Sequence, residues 1–143
     1  MLDENAVLKH VAKHLEGKGF AVLQILPTTQ SGVDLIAEHK ETKIRLLVEA
    51  TGETSARIGS NRYGKPYTST QVYDRVSKTF FATVRNQCTP GNKEHDLSAI
   101  ALPATKLYRK YLEGIRPAVE KIGVHVFWVL ENGNVKEGWI KEE

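Results

Sequence analysis

The stretch GVDLIAEHKETKIRLLVEATG, Gly32 to Gly52, decides the fold. Two alternating runs flank the polar turn Lys40-Glu41-Thr42-Lys43, which reads as two antiparallel strands joined as a hairpin. With the turn centred between Glu41 and Thr42, Glu38 faces Arg45, Ile36 faces Leu47 and Asp34 faces Glu49. The opposite face sets Val33, Leu35 and Ala37 against Ile44, Leu46 and Val48 and is wholly apolar. An opposite-charge pair and an apolar pair favour this register, whereas two acids directly opposite do not. Packing gives neither Asp34 nor Glu49 a reason to be there. The pair therefore implies a cation between the two groups or a proton shared by them.

Outward from the hairpin, periodicity predicts a helix over about Glu4 to Glu16, with Leu8, Val11, Ala12 and Leu15 on one stripe and Gly17 and Gly19 as stop signals. A strand follows from Phe20 to Ile25. After a long loop, Thr51 to Ser69, a second helix is expected from about Thr70 to Asn86 with a core stripe of Val72, Tyr73, Val76, Phe80 and Val84. A buried strand, Leu97 to Leu102, precedes a third helix that reaches about Ile122 and is bent or interrupted at Pro117. Val124 to Leu130 and Val135 to Ile140 close the chain as a hairpin around Asn132-Gly133. No repeat or linker interrupts the pattern, so the expectation is one α/β domain spanning residues 1–143.

Composition narrows the function classes. A chain of 143 residues with 41% apolar content can bury a core without disulfide or metal staples. A single cysteine, Cys88, forms no internal disulfide, and no Cys/His cluster has the spacing of a structural zinc site. The N-terminus has no apolar signal-peptide core, and no apolar run reaches the roughly 18 residues of a membrane span. These features predict a soluble cytoplasmic protein with no membrane partner. Net charge is only +3, but residues 57–93 hold seven basic side chains against one acid, Asp74. That segment is therefore +6 and the remainder −3. Basic residues beside an acidic pair suit a phosphodiester substrate, since Lys and Arg neutralise phosphates.

The order helix, three strands, helix, strand, with acids on the second and third strands, resembles the PD-(D/E)XK nuclease superfamily over roughly Asp3 to Leu102. That superfamily contains many restriction enzymes, Holliday-junction resolvases and DNA-repair nucleases. Gly32-Val33-Asp34 matches its first motif, and Glu49-Ala50-Thr51 matches its E-x-K tripeptide except at the last position. The family's first-helix acid would fall on Glu4 and its helical glutamine on Gln71. The resemblance implies a restriction-endonuclease-like αβββαβ core, a central mixed sheet flanked by helices, followed here by a C-terminal helix and β-hairpin. It also implies Mg²⁺ or Mn²⁺ held by Asp34, Glu49, the carbonyl of Ala50 and Glu4, for such ions want oxygen ligands with water positions left open.

Thr51 stands where the family has its lysine, and threonine carries no charge to orient water or neutralise a transition state. Gln71, Arg75 and Lys78 follow an i, i+4, i+7 spacing on one stripe of the second helix. Lys78 is the first candidate for a relocated lysine, with Arg75 and Lys65 behind it. Catalytic roles thus fall to Asp34, Glu49, Lys78 and Gln71, and nucleic-acid contacts to Arg57, Arg62, Lys65, Arg75 and Lys78. Gly59 to Lys65 imitates a phosphate-binding P-loop, but Pro66 replaces the required hydroxyl residue. His10 and His14, Trp128 and Trp139, and Cys88 read as surface, packing and loop residues respectively.

Three functions follow in order: a metal-dependent nuclease acting on DNA, a degenerate nuclease fold kept as a DNA-binding module, and an accessory interaction domain. The family precedent leans to DNA over RNA, and a homodimer and a monomer are equally compatible with the sequence.

Overall fold

The computed structural model describes residues 1–26, 31–55, 59, 61, 63–89 and 96–141. Elements run α1 (Glu4–Gly17), β1 (Phe20–Ile25), β2 (Leu35–His39), β3 (Arg45–Ala50), α2 (Ser69–Cys88), β4 (Leu97–Pro103), α3 (Lys106–Glu113), α4 (Arg116–Lys121), β5 (His125–Val129) and β6 (Val135–Glu137). The fold is α/β, with six strands in one open mixed sheet in the order β1-β2-β3-β4-β5-β6. β1, β2 and β3 form an antiparallel meander, β4 and β5 add in parallel, and β6 returns antiparallel.

The central hairpin has the register read from its sequence. Glu38 pairs with Arg45, Ala37 with Leu46, Ile36 with Leu47 and Leu35 with Val48. The ladder stops at Leu35, so Asp34 is the next residue out, one step short of a paired position. Lys43 takes the left-handed turn conformation at φ 64°, and its N–H closes the turn on the His39 carbonyl.

Two cores form because the sheet is covered on both faces. Val7, Leu8, Val11, Ala12 and Leu15 of α1 pack on Leu35, Ala37, Leu46, Val48, Ala99 and Phe127. On the other face, Val72, Val76, Tyr108, Leu112 and Val119 from α2, α3 and α4 pack on Ile100, Leu102, Val126 and Trp128. The crossovers β3-α2-β4 and β4-α3-α4-β5 step the same way across the sheet, and their uniform hand puts both sets of helices on one side. Both faces of the parallel strands are thereby buried, which is why β4 reads as a continuous apolar run.

Three expectations are corrected. On α2 the buried residues are Val72, Val76, Thr79, Thr83 and Asn86, while Tyr73 is 57% exposed and Phe80 and Val84 are partly buried. The polar residues on the buried face are satisfied there, Asn86 donating to Glu49 of β3 at 3.1 Å and Thr83 Oγ1 to the Thr79 carbonyl within the helix at 2.7 Å. The long third helix is two helices: α3 ends at Gly114 and α4 begins with Pro117 in its first turn, where a missing N–H costs nothing. The last strand is shorter than expected, stopping before Gly138 at φ 81°. Among the described residues, no helix is long and apolar enough to cross a membrane.

Candidate active site

The hairpin and the start of α1 bring three acids to one end of the sheet. Asp34 precedes β2 and its Oδ2 accepts the Ala50 N–H at 2.9 Å. Glu49, the penultimate residue of β3, is only 8% exposed, and its Oε1 accepts from Asn86 Nδ2 of α2 at 3.1 Å. The Asp34 and Glu49 carboxyls are also hydrogen-bonded to each other, and the Asp34 N–H donates to Glu49. The sequence expectation of two facing acids is met at the level of contact. Glu4, in the first turn of α1, feels the charge of Asp34.

Gly52 makes the approach of α1 possible. A Cβ on it would lie 2.5 Å from the Asp3 carbonyl carbon and from the Glu4 nitrogen. The chain before α1 is also tied down beside it: Leu2 N–H donates to Glu53 Oε2 at 2.7 Å, Glu53 N–H donates to the Leu2 carbonyl at 2.6 Å, and Asp3 bridges to Thr54. The Asp3 side chain caps α1 by accepting the Ala6 N–H at 2.8 Å.

Desolvation dominates the electrostatics. Burial, seconded by the charge of Asp34 and opposed by the Asn86 hydrogen bond, raises Glu49 from 4.5 to about 8. Asp34 is raised by burial against the Ala50 N–H and the Glu49 hydrogen bond, which hold it down. Glu4 is raised to about 7 by burial and then by Asp34, with Arg75 opposing. Burial and the neighbouring carboxylate thus favour a proton on Glu49 at neutral pH. An acid raised in the folded state stabilises the fold below its unfolded value, and that contribution is lost as pH rises through the folded value. Without divalent cations, the melting temperature is expected to fall between pH 4.5 and about 8. The loss is on the order of 2 kcal/mol after allowance for solvent screening. Thermal denaturation across that range should show the slope in the native protein and a much flatter profile in Glu49→Gln. A profile equally steep in both would contradict the assignment.

The donor chemistry fits a hard divalent cation. Two carboxylates in contact give oxygen ligands of the required kind, and in a strand a residue's N–H and C=O point to the same edge. Because the Ala50 N–H reaches Asp34, its carbonyl is aimed along that edge too. Among the described residues, no group of three or more His, Cys, Asp or Glu is arranged to hold a metal. Glu4 is coupled to the pair through the charge of Asp34.

The remaining candidates separate. Arg75 lies about 60° around α2 from the centre of the buried stripe and Lys78 about 120°. Arg75 also acts on Glu4 and stacks over Tyr67 at 4.9 Å, and both Arg75 and Lys78 are exposed. The priority given to Lys78 over Arg75 is therefore reversed. Gln71 serves the N-terminus of α2, its Oε1 accepting the Thr68 N–H at 2.9 Å in a capping box. Lys65 is exposed, and Arg57 and Arg62 lie outside the described residues.

Thr51 is 3% exposed, and it is hydrogen-bonded to the Tyr108 hydroxyl. That hydroxyl donates to the Gly52 carbonyl at 2.6 Å. The space beside Thr51 is thus filled by an aromatic ring of α3.

Asn86, Gly52 and Tyr108 are the site residues that sequence reasoning missed. The Gly after Thr51 was the one visible signal, since a glycine ending a strand often marks a close backbone approach. Of the residues set aside, Trp128 is fully buried, and Trp139 lies under Arg116 at 5.0 Å. Cys88 is exposed. His14 gains an acidic partner that the sequence had not suggested, its Nε2 lying 3.0 Å from Glu137 Oε2. Set against known protein families and curated proteins, the chain matches none.

Proposed function

We propose that the protein is a metal-dependent nuclease that hydrolyses phosphodiester bonds in DNA, built on a restriction-endonuclease-like αβββαβ core and working in the cytoplasm. The observation that carries this reading is the approach of Asp34 to Glu49 at the mouth of the central hairpin, where burial raises both acids. A buried acid kept beside a half-buried one at that cost has a use for the negative charge the two would carry when a cation replaces the proton.

Asp34, Glu49 and the Ala50 carbonyl would hold Mg²⁺ or Mn²⁺, with Glu4 beside them. When bound, such an ion polarises the scissile phosphate and acidifies the attacking water. The Ala50 N–H fixes one oxygen of Asp34 and Asn86 fixes one oxygen of Glu49. This orients the oxygens that a cation would take once the hydrogen bond between the carboxyls is given up. The proton between the carboxyls leaves before both can act as anions. Arg75, steadied on Tyr67, is the positive group best placed to meet a phosphate approaching the acids.

One observation favours a second reading. With Thr51 closed off by Tyr108 in place of a lysine, a domain that binds DNA without cutting it also fits. Incubation of the protein with intact, nicked, single-stranded and branched DNA, with Mg²⁺ or Mn²⁺ and with chelator, separates the two. Chelator-sensitive cleavage of any form supports the nuclease. Binding of DNA with every form left intact supports the second reading.

A further inference from the structure

Lys106, Lys110, Arg109 and Arg116 meet Lys141 from the chain's last segment around a concave groove of about 700 Å³, with Glu113 the one acid among the described residues of its wall. Four of these basic residues lie within the short run Lys106 to Arg116, which holds one acid, Glu113, and the fold brings Lys141 from 25 positions beyond Arg116 to join them. The inner side of that helix carries Tyr108 and Leu112, both buried. Tyr108 is bonded to Gly52, three residues beyond Glu49, so the outward basic side is anchored to the end of the strand that carries Glu49.

From this arrangement we infer that the α3 groove is a track for the phosphate backbone of a DNA duplex whose reacting portion lies at Asp34 and Glu49. The inference rests on the nuclease reading for its choice of polyanion. Arg116 belongs to the wall: Glu113 lies 3.8 Å from it, Glu120 accepts from its Nε, and Trp139 packs on it. Lys106, Lys110 and Lys141 line the groove with their ammonium groups, and α3 from Lys106 to Glu113 is about 12 Å long. At about 3.4 Å of rise per phosphate on one strand, that length spans three or four phosphates. Lysines act on such a row as point charges without base preference, so the groove would hold the duplex and leave sequence unread.

The test is duplex DNA binding in chelator, so that no cutting intervenes, across a salt series. The native protein is compared with a Lys106→Gln/Lys110→Gln/Lys141→Gln variant. A Lys9→Gln/Lys13→Gln/Lys43→Gln variant, altered on α1 and the hairpin turn, is the control. The groove variant should lose about 2 to 3 from the slope of log K against log salt, and the control should keep the native slope. Equal slopes in all three proteins overturn the groove and leave the nuclease reading to its own cleavage assay. A groove-dependent slope in a protein that cuts no DNA keeps the track and removes the nuclease. Binding of a sulfated polysaccharide or an acidic protein, with none of the duplex, overturns the choice of partner.

Discussion

Asp34→Asn and Glu49→Gln are each expected to lower cation-dependent cleavage of DNA by at least about 100-fold while leaving the fold intact. In Asp34→Asn the new side-chain amide still offers an oxygen to the Ala50 N–H that now binds Asp34 Oδ2. In Glu49→Gln the side chain likewise keeps an oxygen for the Asn86 amide that now reaches Glu49 Oε1. What each variant loses is the negative charge. Without metal, Glu49→Gln should be more stable than the native protein above neutral pH, because the raised Glu49 titrates there and its ionisation opposes folding. An activity loss joined to a stability gain distinguishes a ligand from a structural residue. Cleavage at native rates in both variants would contradict the site.

Gly52→Ala is expected to destabilise the protein by about 2–3 kcal/mol, lowering the melting temperature by roughly 5–10 °C. The added methyl would meet backbone atoms of Asp3 and Glu4 at 2.5 Å, and backbone cannot swing aside as a flexible side chain would. Relief requires the start of α1 to retreat, which carries Glu4 away from Asp34. Gly17→Ala is the matched control: its Cβ meets nothing within 4 Å, and alanine is favoured over glycine at a helical position. Thermal denaturation of the two variants side by side measures the difference. Equal melting temperatures would show that the junction of β3 with α1 is loose.

The register of the hairpin from Leu35 to Arg45 was legible because strand periodicity leaves little choice, since a shift of one residue would put Leu35, Ala37, Leu46 and Val48 on the wrong face. The expected strand pairing of Asp34 with Glu49, by contrast, lies one step beyond the ladder's end. The acid pair followed from that register without any knowledge of the rest of the fold. α2 was legible in extent but not in rotation. Its apolar residues include Tyr73 and Phe81, which the fold leaves exposed, while Asn86 turns inward to a partner 37 positions earlier. A pattern of apolar residues carries no trace of a hydrogen bond made across that separation. Tyr108 closing on Thr51 was hidden for the same reason. Of the basic groove, the run Lys106 to Arg116 was visible in the linear order, but its closure by Lys141 was not, because that contact joins α3 to the far end of the chain.

The central claim is that Asp34 and Glu49 exchange a shared proton for a divalent cation. Calorimetric titration of Mn²⁺ at neutral pH, repeated in buffers of different ionisation heat, measures both the binding and the protons released by it. One site that releases about one proton is expected, with binding and release both lost in Glu49→Gln. No binding by the native protein, or binding that survives Glu49→Gln with unchanged proton release, would contradict it.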